Sequence, residues 1–87
     1  MTNYNYTCIS EVNGKHHSTT EETVNEYKVL KAYFELKEGI IGNIGTTKRI
    51  DTLNYFSDGT ITDFCYTTIT RFNGSTYKHK YSYRLMK

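Results

Sequence analysis

Polar and apolar residues alternate along most of this chain, and the alternation is interrupted by Asn-Gly or Asp-Gly pairs. Asn13-Gly14, Asp58-Gly59 and Asn73-Gly74 each sit between runs rich in Tyr, Phe, Ile and Thr. Such pairs tolerate the positive φ angles of a type I′ turn, and a period of two marks a strand with one buried face, so each pair predicts a two-residue β-hairpin. The strands are expected over residues 4–12 and 15–18, 48–56 and 60–72, and 75–85. Between the first two hairpins the period changes. Val24, Tyr27, Leu30 and Phe34, supported by Val29 and Tyr33, recur at helical spacing and form an apolar face for a helix over residues 20–37. Thr19 and Glu22 have the spacing of a capping box, and Gly39 marks a stop. Residues 39–47 have no period and are expected to form a loop that tucks Ile40, Ile41 and Ile44 under the helix end. The pattern predicts an α+β fold: an antiparallel sheet of about five strands in the order β-β-α-β-β-β, with one helix packed on one face.

Two-residue loops also fix cross-strand partners. Around Asn73-Gly74, Phe72, Thr70, Thr68, Tyr66 and Phe64 are expected opposite Ser75, Tyr77, His79, Tyr81 and Tyr83, giving an aromatic face. The other face places Arg71, Ile69, Thr67, Cys65 and Asp63 opposite Thr76, Lys78, Lys80, Ser82 and Arg84, and is basic. Around Asp58-Gly59 the same rule sets Leu53 beside Phe64, Tyr55 beside Thr62 and Ile50 beside Thr67. Residues 4–14 also lie over 64–74 at an offset of 60, sharing Tyr, Thr, Ile, Asn and Gly at matching places. In that alignment Cys8 and Cys65 project to opposite faces, which argues against a disulfide.

At 87 residues and 10.2 kDa the chain is expected to be a single domain, residues 1–87. Nine Tyr and four Phe supply too much ring surface for a disordered chain. No apolar run has the length of a membrane span, and Met1 leads into polar residues rather than a leader, so no membrane role and a cytoplasmic location are expected. The charge is asymmetric. Residues 1–47 carry four Lys against six Glu, and the remainder seven basic residues against three Asp.

Catalytic chemistry finds little support in these residues, and neither an enzyme, a cofactor nor a metal is expected. His16 and His17 are adjacent, which on a regular strand sends them to opposite faces. His79 falls among Tyr77 and Tyr81 as a face-filling ring, the cysteines have no nearby base, and no two carboxylates are placed for acid/base work. Gly42-Asn43-Ile44-Gly45 precedes no helix and lacks a following Lys, so it is not a phosphate loop. The candidate partner-binding residues are Arg71, Lys78, Lys80 and Arg84 on the basic face and Tyr77 and Tyr81 on the aromatic one. The rings have the bulk to form the core, which leaves the basic face open for an acidic protein surface or a nucleic-acid backbone.

No family motif is matched. In composition, rich in Asn, Thr, Tyr, Ile and Lys and lacking Trp and Pro, the chain is similar to the small orphan proteins of low-GC bacteriophages and mobile elements, anti-CRISPR and other host-inhibiting proteins among them. That resemblance implies a non-enzymatic inhibitor or adaptor docking on a host protein or nucleic-acid-handling complex in a host cytoplasm. The alternative is a stand-alone nucleic-acid binder. Exposed edge strands leave monomer and homodimer both open.

Overall fold

The computed structural model describes residues 2–37 and 45–86. Five strands, β1 (Asn3–Val12), β2 (Lys15–Asn25), β3 (Thr46–Tyr55), β4 (Ile61–Phe72) and β5 (Ser75–Leu85), form one antiparallel sheet in the order β2-β1-β5-β4-β3. One helix, α1 (Glu26–Lys37), follows β2 and packs on one face. This is the α+β fold expected from the alternation and its turns. The expected loop tucking Ile40, Ile41 and Ile44 under the helix end lies outside the described residues.

Two of the three hairpins turn as expected. Asn13 and Asn73 have φ of 51° and 50°, and the glycine after each is also at positive φ, the signature of type I′. These turns lie side by side, because Asn13 exchanges hydrogen bonds with Thr76 through its backbone N–H and its side-chain oxygen, both at 2.8 Å. The third differs. Around Asp58-Gly59 only the glycine is at positive φ, and Phe56 and Gly59 close a longer loop through 2.9 Å bonds from Phe56 N–H to Thr60 O and from Gly59 N–H to Phe56 O. The Asp58 carboxylate accepts from Thr60 N–H at 2.9 Å, so the aspartate caps the turn instead of entering the left-handed region. Tyr55 therefore faces Ile61 rather than Thr62, and a bulge restores the expected pairing of Leu53 with Phe64.

A second bulge at Asp51 corrects another expectation. Ile50 pairs with Tyr66, not Thr67, and Arg49 pairs with Thr67, so these two side chains exchange faces. Because the third strand begins at Thr46, part of the segment expected to be loop is sheet.

The helix begins later than its pattern suggested. Thr19, Glu21 and Glu22 belong to β2, which pairs with β1 as far as Asn25, and the cap is Asn25, whose Oδ1 accepts from Lys28 N–H at 3.1 Å. A late start rotates the choice of face. Val29, Ala32 and Leu36 are buried, whereas Tyr27, Leu30 and Phe34, expected in the core, point outward at 69%, 37% and 55% exposure. Both sets have helical spacing. Space decides between them: the floor already holds the rings of Tyr4, Phe64, Tyr66 and Tyr83, and small side chains let the helix axis come close.

Those rings form a continuous ladder. Tyr33 from α1 meets Phe64 edge-on at 5.7 Å, Phe64 stacks on Tyr83 at 5.9 Å and lies 5.2 Å from Tyr66, and Tyr66 stacks on Tyr81 at 4.6 Å. Tyr4 is fully buried and donates its hydroxyl to Ile61 O at 2.6 Å, so the deepest phenol is satisfied. Burial raises the pKa of Tyr4, Tyr6, Tyr66 and Tyr81, and pushes Tyr83 up to about 12.

Two outcomes follow. Leu36→Ala should cost about 2–5 kcal/mol in urea denaturation of dilute protein while Phe34→Ala stays within about 0.5 kcal/mol, the reverse of what the Tyr27–Leu30–Phe34 face would give. A tyrosine whose folded pKa is raised stabilises the fold fully below its ordinary value near 10 and ceases to do so as pH climbs through the folded value. The tyrosine contribution to stability should thus be constant up to about pH 10 and fall between there and about pH 12, with phenolate absorbance of the buried tyrosines rising together with loss of circular dichroism.

Candidate docking surface

Strand alternation sorts the candidate residues onto two faces. Tyr81, the outer rung of the ring ladder, and Tyr77 beyond it lie half-buried on the helix side of β5, while Lys78, Lys80 and Arg84 alternate with them and point the other way. Arg71 joins this second face from β4, opposite Thr76, so the register expected around Asn73-Gly74 holds over its full length. Cys8 and Cys65 are free and fall on opposite faces, as their positions required.

The helix lies on the aromatic face, and among the described residues no element covers the second face, which is the open one. Arg49 adds a fifth cation there, because the Asp51 bulge turns it outward beside Thr67, next to Lys80. Sequence reasoning missed it. The available signal was the strand spacing of Arg49 and Asp51, which regular alternation keeps on one face but which the expected register assigned to the aromatic side.

The cations do not stand alone. Arg49 Nε donates to Asp51 Oδ1 at 2.7 Å, and the Thr67 hydroxyl donates to Asp51 Oδ2 at 2.5 Å, burying Thr67 although it faces outward. The Thr67 hydrogen bond, and then Arg49 and Lys80, hold the Asp51 carboxyl below the usual carboxylate range. Arg84 lies 3.9 Å from Asp63 across the strands, and Glu11 of β1 is registered with Lys78. The centre of the face is therefore a checkerboard of charge around Ile9, Ile69 and Cys65 rather than a purely basic stripe.

On the other face, Ser10 Oγ and His79 Nδ1 are 2.8 Å apart, the spacing of a nucleophile and base. The cross-strand neighbours of His79 are Ser10 and Thr68, so the register supplies no carboxylate to orient the imidazole. The bulge at His17 breaks the alternation expected for the two adjacent histidines, and the His16 ring bonds Thr19 Oγ1 at 2.7 Å on the exposed edge. Among the described residues, no three His, Cys, Asp or Glu side chains gather as a metal site, and no helix is long and apolar enough to cross a membrane.

With this geometry in view, comparison with known protein families, with curated proteins and with solved structures finds no match.

The Asp51 linkage has a testable sign. A carboxyl held below its ordinary pKa stabilises the fold above about pH 4 and loses that contribution as pH falls through the folded value. Asp51→Asn should be less stable than the parent at pH 7, and the gap should narrow progressively as pH falls below about 4 when denaturation midpoints are compared.

Proposed function

We propose that this protein is a small non-enzymatic binding protein, an inhibitor or adaptor, that docks on a larger protein partner through its open sheet face. The observation that carries this reading is the charge checkerboard around small apolar residues: Arg71, Lys78, Lys80 and Arg84 with Glu11 and Asp63 on the inner strands β1, β5 and β4, and Arg49 with Asp51 beside them on the edge strand β3. A flat surface with mixed charges suits a protein partner bearing the complementary pattern. A phosphate backbone is uniformly negative, and fixed carboxylates among the cations oppose it. That contrast favours a protein partner over stand-alone binding to nucleic acid. The compositional likeness to small phage-borne inhibitors, anti-CRISPR proteins among them, fits a partner in a host machine that handles nucleic acid.

Affinity capture from a host lysate with and without nuclease, followed by binding kinetics on the recovered partner, tests the proposal. Capture should resist nuclease, and Lys78→Ala with Lys80→Ala should slow association by roughly tenfold at low salt with a smaller change in dissociation, because charge complementary to the partner steers encounter. Recovery of nucleic acid alone, with a salt slope falling by about one per lost lysine, would replace it with the nucleic-acid reading.

A further inference from the structure

The outward stripe of α1 is apolar, helically spaced and unused by the core. Tyr27, Leu30 and Phe34 recur at i, i+3 and i+7 on the side of the helix away from the sheet, and all three are exposed. An isolated exposed ring needs no explanation, whereas three large side chains in a row on one helix form a docking seam.

The charges beside this seam identify what fits it. At about 100° per residue, Glu26 and Lys37 fall within about 20° of one another on the flank next to Leu30. One stands at the first turn and the other at the last. On the opposite flank Lys31 and Glu35 lie 4.0 Å apart in the same helix, here with the base towards the N-terminus. Reverse the helix end for end and each flank presents the opposite sign at each end. Glu26 then meets Lys37 of the reversed copy and Lys37 meets its Glu26, while Lys31 and Glu35 meet Glu35 and Lys31. The midpoints of the two charge pairs and of the apolar stripe fall within about 4 Å along the axis at a rise of about 1.5 Å per residue, so one dyad serves all three. Antiparallel helices also set their macrodipoles head to tail. A partner of unrelated sequence has no reason to match this reversal, and a second copy of the chain matches it by construction.

We infer that two copies associate through an antiparallel α1–α1′ contact centred between Leu30 and Phe34, giving a two-fold dimer with helices inside, sheets outside and both open faces pointing away. One short helix per copy makes this a small interface, so association is weak and depends on concentration. The edge strand β2 is the rival route to a dimer, through sheet continuation.

Sedimentation velocity over a range of about 10 μM to 1 mM, with circular dichroism to confirm folding of every variant, tests the inference. The parent should pass reversibly from monomer to dimer over that range, and Leu30→Glu or Phe34→Glu should raise the dissociation constant at least tenfold without loss of the fold. Glu26→Lys alone and Lys37→Glu alone should each weaken the dimer, and the two together should restore it, which a merely greasy surface would not do. In a background with Cys8→Ser and Cys65→Ser, Leu30→Cys should give a disulfide-linked dimer on oxidation. A monomer throughout the range overturns the proposal. So does a dimer that survives Leu30→Glu and crosslinks instead through Thr20→Cys on the β2 edge, or a charge exchange that fails to rescue.

Discussion

The sheet is organised by the need to bury tyrosine. Phe64, Tyr66, Tyr81 and Tyr83 on the two central strands, with Tyr4 and Tyr6 beside them, are the largest apolar surfaces in the chain, and each phenol carries a hydroxyl that cannot be buried alone. Stacking them along β1, β5 and β4 covers their faces, and the deepest hydroxyl ends on the Ile61 carbonyl. The rest accommodates that ladder. The helix contributes Val29, Ala32 and Leu36 because the floor is already full, and its larger residues are turned to solvent. The opposite face, relieved of any core duty, is free to be polar.

Much of this was legible in the sequence, and the failures share one cause. Asn13-Gly14 and Asn73-Gly74 set their hairpins because Asn and Gly both enter positive φ, and from that alone the pairing from Phe64–Tyr83 to Phe72–Ser75 and the grouping of Arg71, Lys78, Lys80 and Arg84 are determined. Asp58-Gly59 resembles them on paper, yet Asp58 satisfies its carboxylate on Thr60 N–H, and the loop grows by a residue. At Asp51 the extra residue is held by Thr67, remote in sequence, and by Arg49, which the expected register set on the aromatic face. Bulges are tertiary events, and a period-two reading has no term for them. The helix face failed for a related reason: two stripes of equal quality compete within Glu26–Lys37, and the winner is decided by the shape of a floor that only the assembled sheet defines.

The candidate site divides along the same line. Four of its cations and Asp63 follow from turn chemistry, whereas Arg49, Asp51 and Glu11 join the face only once β1 and β3 are in place. Counting charge along the chain gives a basic C-terminal half. Folding interleaves it with acids from the strands alongside, and a surface that reads as uniformly basic along the chain carries mixed charge once assembled.

The sheet order has a bearing on how the chain is made. β1 and β5 are neighbours at the centre of the sheet, with Tyr4 beside Leu85, so the seam joining the two halves links positions about eighty residues apart. On a ribosome, the β1–β2 hairpin and the helix emerge long before the strand that must lie against them, and the Tyr4–Tyr6 edge waits uncovered until β5 follows. A chain with so much of its pairing deferred folds slowly for its size and presents a sticky edge meanwhile. The glutamates, lysine and histidines of β2 guard the outer side of that waiting hairpin; its inner side is protected only by the arrival of the last strand.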